Sequence, residues 1–163
     1  MTVQSYLEAG LSIIPCVRVE KRPAGWLLPI IQTSDGRGVR SWKPFQQRRP
    51  TETEVQAWLR RGWLQPRGKA NALAVITGQV SGNLEVLDFD APPLMKPWAA
   101  QIQAQVPGLL EQLPFVHTPS GGWHVYYRCP VVAGNQKLAV EYYQEETDTK
   151  PRVKTLIETR GEG

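Results

Sequence analysis

Asp88 and Asp90 stand two residues apart at the end of the apolar run Leu84-Glu85-Val86-Leu87-Asp88-Phe89-Asp90. Successive side chains on a strand point to opposite faces, so the two aspartates share one face while Leu87 and Phe89 take the other. Two like charges that close repel, and neither is buried cheaply unless a cation sits between them. A divalent metal is the simplest physical resolution, and what such a metal commonly meets in an oxygen-lined site is a phosphate. About thirty residues later comes Thr118-Pro119-Ser120-Gly121-Gly122-Trp123-His124. In that turn Gly121 and Gly122 let the backbone approach a phosphate, Ser120 can donate its hydroxyl and His124 a ring N–H. A third carboxylate, Glu158, lies in the strand-like run Val153 to Thr159. Alternation there groups Lys154, Leu156, Glu158 and Arg160 on one face and Val153, Thr155 and Ile157 on the other. Three carboxylates from two strands can hold two divalent ions, one activating an attacking hydroxyl and one steadying a triphosphate.

Charge is divided unevenly along the chain. The net charge is +4, but residues 1–70 carry 12 Lys and Arg against 5 Asp and Glu, a net of +7, whereas residues 71–163 carry 7 against 10, a net of −3. The basic half includes Arg37, Arg40, Lys43, Arg48, Arg49, Arg60, Arg61, Arg67 and Lys69, interleaved with Trp42, Phe45, Trp58 and Trp63. Such a mixture suits a nucleic-acid backbone with bases stacking on rings, and Arg37, Arg40, Lys43, Arg48 and Arg49 are the nucleic-acid contacts it predicts. A solvated surface over an aromatic core is the competing reading. For Trp42, Trp58, Trp63 and Trp98 core packing is the default.

The elements that must position these groups follow from periodicity and breakers. A short helix opens the chain from about Thr2 to Glu8 and stops at Gly10. Ser12 to Val19 reads as a strand, with Pro15 marking an edge or a bend. Residues 20 to 49, rich in Gly, Pro and Arg, read as a long connecting loop. Thr51 and Glu54 form a capping box for a helix with Val55, Trp58 and Leu59 on its apolar stripe and Gly62 at its end. Ala72 to Thr77 and 84–90 read as a hairpin in the middle of the sheet. Trp98, Ile102 and Val106 recur every four residues, which predicts an amphipathic helix over 96–106, broken by Pro107-Gly108 and followed by a short helical piece to Leu113. Trp123 to Cys129 is a further strand, and 133–151 a polar hinge or hairpin arm. The sum is a mixed α+β sheet with helices on one face.

A length of 163 residues with 41 % hydrophobic and 21 % charged content is ordinary for one globular domain. No apolar run approaches the roughly 20 residues that span a bilayer, and Met1 to Gly10 has no features of a secretory signal. Cys16 and Cys129 fall in apolar segments and read as buried free thiols, which points to the cytoplasm and away from a structural zinc.

At this point the residues reach a family. The chain resembles the amino-terminal domain of the bifunctional DNA primase/polymerase (prim-pol) family, within the archaeo-eukaryotic primase superfamily. The likeness runs through Leu11-Ser12-Ile13-Ile14-Pro15, Lys21, Pro23, the Thr51–Trp58 helix, Asn71 to Gly78, Leu87-Asp88-Phe89-Asp90, Thr118 to His124 with Tyr126-Tyr127, and Ile157 to Gly161. The resemblance implies a primase-like fold, an RRM-like catalytic sheet packed with a small amino-terminal α/β unit, the whole of 1–163 forming one catalytic domain. It implies that Asp88, Asp90 and Glu158 bind Mg²⁺ or Mn²⁺. It implies that Ser120, Gly121, Gly122 and His124, with Arg160, contact the incoming nucleotide. The implied activity is template-directed nucleotidyl transfer by a DNA primase/DNA polymerase, in replication of a plasmid, phage or other mobile element. The implied partners are a single-stranded or primed DNA template, NTP or dNTP, and a helicase domain or protein, with no membrane.

The chain departs from the family pattern in three places. Glu158 stands where Asp is the common choice. Asn83 adds a residue before the acidic strand, which reads as a longer hairpin. The sequence stops at Gly163, where the pattern continues into a Gly-rich strand, so a truncated end is expected, with Glu158 left on an unprotected edge. Two other functions compete with the polymerase reading. One is a catalytically silent nucleic-acid or nucleotide-binding module of a replication protein. The other is a metal-dependent nuclease, since acidic triads also hydrolyse phosphodiesters.

Overall fold

The computed structural model describes residues 2–145 and 150–162. The chain divides into two compact units, one up to Gly82 and one over Asn83–Glu162. Both are α+β with antiparallel sheets, as the sequence predicts.

The first unit opens with α1 (Val3–Glu8), whose capping box pairs Thr2 with Ser5. Then come β1 (Ser12–Val17), β2 (Arg22–Pro23), β3 (Ile30–Gln32), β4 (Gly38–Arg40), α2 (Glu52–Arg60) and β5 (Ala72–Ile76). The sheet order β2-β1-β5 makes β1 the central strand, buried along its whole length. Pro15 is therefore at neither an edge nor a bend. It lies opposite Leu73 of β5, and its carbonyl accepts from Ala24 N at 2.8 Å just past the two-residue β2. The short β2 leaves the missing proline N–H without a ladder partner to disappoint. The core gathers Ile13, Ile14, Leu27, Leu28, Phe45, Val55, Trp58 and Trp63. Phe45 and Trp63 both meet Trp58 edge to face, at 5.4 and 5.6 Å between centroids. The Thr51–Glu54 capping box is present as predicted. Residues 20–49 are not one loop: they hold β2, the β3–β4 hairpin and two 3₁₀ turns, Gly25–Leu27 and Lys43–Gln46. Elements of two to four residues are too short to leave a periodic trace.

The second unit is built on a sheet of five strands. It contains β6 (Leu84–Phe89), α3 (Met95–Gln105), β7 (Phe115–His117), β8 (Trp123–Arg128), β9 (Lys137–Tyr143) and β10 (Arg152–Arg160), in spatial order β7-β8-β6-β10-β9. Leu87, Phe89 and Val125 form its buried centre, with Met95 and Trp98 of α3 packed against them. The Phe89 and Trp98 rings meet edge to face at 5.2 Å. Val106 lies beyond the helix and is 49 % exposed, so its place in the apolar repeat was a coincidence of spacing.

The predicted hairpin of 72–77 with 84–90 does not form. β5 pairs with β1, whereas β6 pairs with β8 and β10. Gly82 and Asn83 both adopt positive φ (+69° and +58°), which redirects the chain after the 3₁₀ turn Gln79–Ser81. Asn83 thus belongs to that redirection and not to a longer hairpin; its carbonyl accepts from Cys129 N and its side chain donates to the Pro130 carbonyl. The 133–151 arm is a hairpin arm, since β9 pairs with β10; its part at 146–149 lies outside the described residues. β9 also covers β10 on the side away from β6, so Glu158 is not on a sheet edge. The ladder shifts register on either side of Ile157, so the simple alternation expected along 153–159 is interrupted at Leu156.

Candidate functional site in the second unit

β6 is the middle strand of its sheet, and its register sets the site. Asp88 lies directly opposite His124 of β8 and directly opposite Glu158 of β10. Directly opposed residues on neighbouring strands put their side chains on the same face. The apolar partners Leu87 and Phe89 turn to the other face, where Val125, Ile157 and α3 supply the packing. The burial that holds β6 in place therefore also fixes which face carries the acids. Asp90 follows the last residue of β6 and is held by its backbone N–H, which donates to the Leu156 carbonyl at 3.0 Å. Carboxylate oxygens of Asp88, Asp90 and Glu158 lie within 4.8 Å of one another. Oxygens bound to one Mg²⁺, Mn²⁺ or Ca²⁺ lie about 2.0–2.6 Å from it, hence up to about 5 Å apart, so the three predicted ligands fit a single divalent cation.

Two basic groups flank this cluster. His124 Nε2 is 3.4 Å from Asp88 Oδ1, and Arg160 Nε is 3.5 Å from Asp88 Oδ2. Arg160 also pairs with Glu158 through Nη2. The side chains of Asp88 and Glu158 are only 13 % and 14 % exposed, so these contacts act where water screens poorly. The structure thus brings together Asp88, Asp90, Glu158, His124 and Arg160.

The predicted phosphate turn is the five-residue loop between β7 and β8. It is closed by Thr118 N donating to Gly122 O and Gly121 N donating to Thr118 O, both at 2.9 Å. A Cβ on Gly122 would lie 2.3 Å from the Phe89 carbonyl oxygen, so this glycine lets the turn sit against the end of β6. Gly121 has φ +92° and open space around it. Ser120 is exposed, with Oγ 3.2 Å from Thr118 Oγ1. His117 is exposed and its ring meets Trp123 edge to face at 4.9 Å.

Three further residues of this sheet were given no role by the sequence reading. Tyr126 OH lies 3.3 Å from His124 Nδ1. Its position two residues from His124, on the same strand face, was a readable signal. Lys137 stands opposite Glu158 on β9, but only across a register shift that no pattern announces. Glu85 is buried on the apolar side of β6, accepting from Tyr127 OH and, at 3.8 Å, from Cys129 Sγ, while its Oε1 has no partner among the described residues. Burial, then the hydrogen bond to Glu85, pushes the Tyr127 phenol well above its ordinary range. Burial, then the charge of Glu85, raises the Cys129 thiol as well. Cys16 and Cys129 are both free, Cys129 only half-buried.

The basic residues predicted to meet nucleic acid all lie in the first unit, and several already have partners. Arg37 pairs with Asp35, Arg40 donates to the Leu28 carbonyl at 2.9 Å, and Arg48 forms a two-point pair with Glu54 while lying over the Phe45 ring. Lys43 and Arg49 are exposed and make no ion pair among the described residues. No helix among the described residues is long and apolar enough to cross a membrane.

The family model described as bifunctional DNA primase/polymerase, N-terminal, matches residues 3–163. No curated protein and no solved structure matches the chain. With acids, turn and basic partner spread over β6, β8 and β10 of a span the family model covers almost end to end, the chain belongs to the bifunctional DNA primase/polymerase family.

Proposed function

We propose that this chain carries out template-directed nucleotidyl transfer on DNA, with Asp88, Asp90 and Glu158 holding Mg²⁺ or Mn²⁺. Family membership supports primase/polymerase-type function in general terms. The observation that supports this site is the convergence of three carboxylates from two neighbouring strands within 4.8 Å. Divalent ions bound there would lower the pKa of an attacking hydroxyl and neutralise a triphosphate.

The protein's own groups orient the reactants. In this reading His124 and Ser120, on the strand and turn beside Asp88, donate to the phosphates of an incoming nucleotide, with Gly121 and Gly122 shaping the turn. Arg160 supplies a further cation on the same face. A 3′-oxygen then bonds to the α-phosphorus as the bond to pyrophosphate breaks, and the developing negative charge falls among these donors. In this reading Lys43 and Arg49 serve the DNA backbone together with Arg37, Arg40 and Arg48. The whole chain acts as one catalytic domain in the replication of a mobile element, in the cytoplasm and alongside a helicase.

The contact of Arg160 with both Asp88 and Glu158 favours a second reading, a nucleotide- or DNA-binding module without turnover, because the carboxylates already have an internal cation. Titration of nucleoside triphosphate with Mn²⁺ or Mg²⁺ into wild type and Asp88→Ala/Asp90→Ala, followed by primer extension, separates the two. The leading reading expects metal-dependent binding that the variant loses, and incorporation reduced by at least about 100-fold, the scale of removing one electrostatic contact from a reacting centre. Incorporation at wild-type rate in the variant would sink it, and binding without any incorporation would leave the silent module.

A further inference from the structure

The first unit contains a cavity of about 650 Å³ that no part of the mechanism above uses. That size is in the range of pockets that hold a ligand. Trp26 lines it and is 38 % exposed, whereas Trp58 and Trp63 of the same unit are at 3 % and 1 %. A tryptophan ring left open at a cavity wall is a surface on which something can stack. The backbone that carries the ring is anchored. It sits on the 3₁₀ turn Gly25–Leu27 between the buried Ala24 and Leu27, and Arg61 donates to the carbonyls of Trp26 and Leu27.

Two further cations line the cavity. Glu20 and Arg22 in its wall pair with each other, while Arg67 and Lys69 make no ion pair among the described residues. Their loop is tightly folded. Leu64 N donates to Ala70 O at 2.8 Å and Gly68 N to Gln65 O at 2.9 Å, and a Cβ on Gly68 would lie 2.9 Å from Gly62 O. Asn71, also in the wall, accepts from Arg18 N through Oδ1, which leaves its amide hydrogens to offer. An open indole with separated cations on a fixed frame matches a chain of bases and phosphates better than an isolated anion.

We propose that this cavity binds single-stranded DNA, one base stacking on Trp26 while Arg67 and Lys69 take neighbouring phosphates. The choice of DNA among polyanions rests on the function proposed above; the stacking and charge do not. The assignment adds Arg67 and Lys69, neither in an ion pair among the described residues, to a nucleic-acid surface on which Arg37, Arg40 and Arg48 already hold protein partners.

The test is fluorescence anisotropy of a labelled oligo-dT with the 163-residue chain over a series of salt concentrations, in EDTA and without nucleoside triphosphate. Trp26→Ala is expected to weaken binding roughly 5- to 150-fold, the range for one lost base stack. Trp26→Phe, which keeps a ring, is expected to stay much closer to wild type. Arg67→Ala/Lys69→Ala should reduce the slope of log affinity against log salt by about 1.4, or about 0.7 for each phosphate contact on a single strand. Wild-type affinity in Trp26→Ala, equal loss in Trp26→Ala and Trp26→Phe at unchanged melting temperature, or an unaltered salt slope in the double variant overturns the proposal. Displacement by thymidine monophosphate as effective as by unlabelled oligo-dT also overturns it, since the site would then take mononucleotides. Without metal or triphosphate the readout does not depend on the Asp88 site, so failure here is distinct from failure there.

Discussion

Gly122 occupies a position that no side chain can share, because its Cβ would lie 2.3 Å from the Phe89 carbonyl oxygen. Gly121, its neighbour, meets nothing but holds φ at +92°. The two substitutions to alanine should therefore fail for different reasons. Gly122→Ala must push the turn off the end of β6, at a cost of about 1–3 kcal/mol or more. Gly121→Ala bears only backbone strain, about 1–2 kcal/mol. Urea denaturation checks this; a Gly122→Ala protein as stable as Gly121→Ala would mean the turn has room to shift. The same pair shows how far the candidate site could be read from sequence. The residue types were legible: acids at period two, then Ser, Gly, Gly and His. What each glycine does was not, because a close approach to Phe89 is a tertiary fact. Nor was the pairing of Arg160 with both Asp88 and Glu158, which depends on β10 lying beside β6 in one particular register.

Among the elements, α2 is the one whose start the sequence specifies fully. Thr51 Oγ1 accepts from Glu54 N at 3.2 Å, and the Glu54 carboxylate accepts from Thr51 N at 2.8 Å. Arg48 adds its guanidinium to the same carboxylate, and that contact more than any other lowers the Glu54 pKa below its usual 4.5. A depressed carboxylate pKa stabilises the fold above the unfolded value, and this contribution is lost as pH falls through the folded one. Glu54→Gln should therefore flatten the decline in melting temperature between about pH 5 and pH 3, and Thr51→Ala should cost about 1 kcal/mol at neutral pH. An acid limb as steep in Glu54→Gln as in wild type would assign the acid sensitivity to other carboxylates. Helix starts are legible because a cap is local. Strand partners are not: 72–77 and 84–90 are each correctly strands, yet they join different sheets. Both are apolar runs joined by a glycine-bounded turn, a pattern that a hairpin and a change of sheet share.

At the scale of the whole molecule, charge and packing divide at the same place. Residues 71–82 carry no charged side chain, so the +7 of the first seventy residues is the charge of the unit ending at Gly82. Each unit also has its own core: the first centres on Ile13, Phe45, Trp58 and Trp63, the second on Leu87, Phe89 and Val125. Cooperative opening follows buried contacts, so a defect in one core should be felt first within its own unit. Phe89→Ala removes a fully buried ring from the smaller core, a loss of about 3–5 kcal/mol, comparable with the stability of a small domain. Native-state hydrogen exchange on this variant should then show amides of β6, β8 and β10 losing protection by several orders of magnitude. Those of β1, β5 and α2 should remain close to wild type. Equal loss in both sets would mean that the two cores open as one, and that a substitution under the carboxylate face reaches the tryptophan-lined cavity as well.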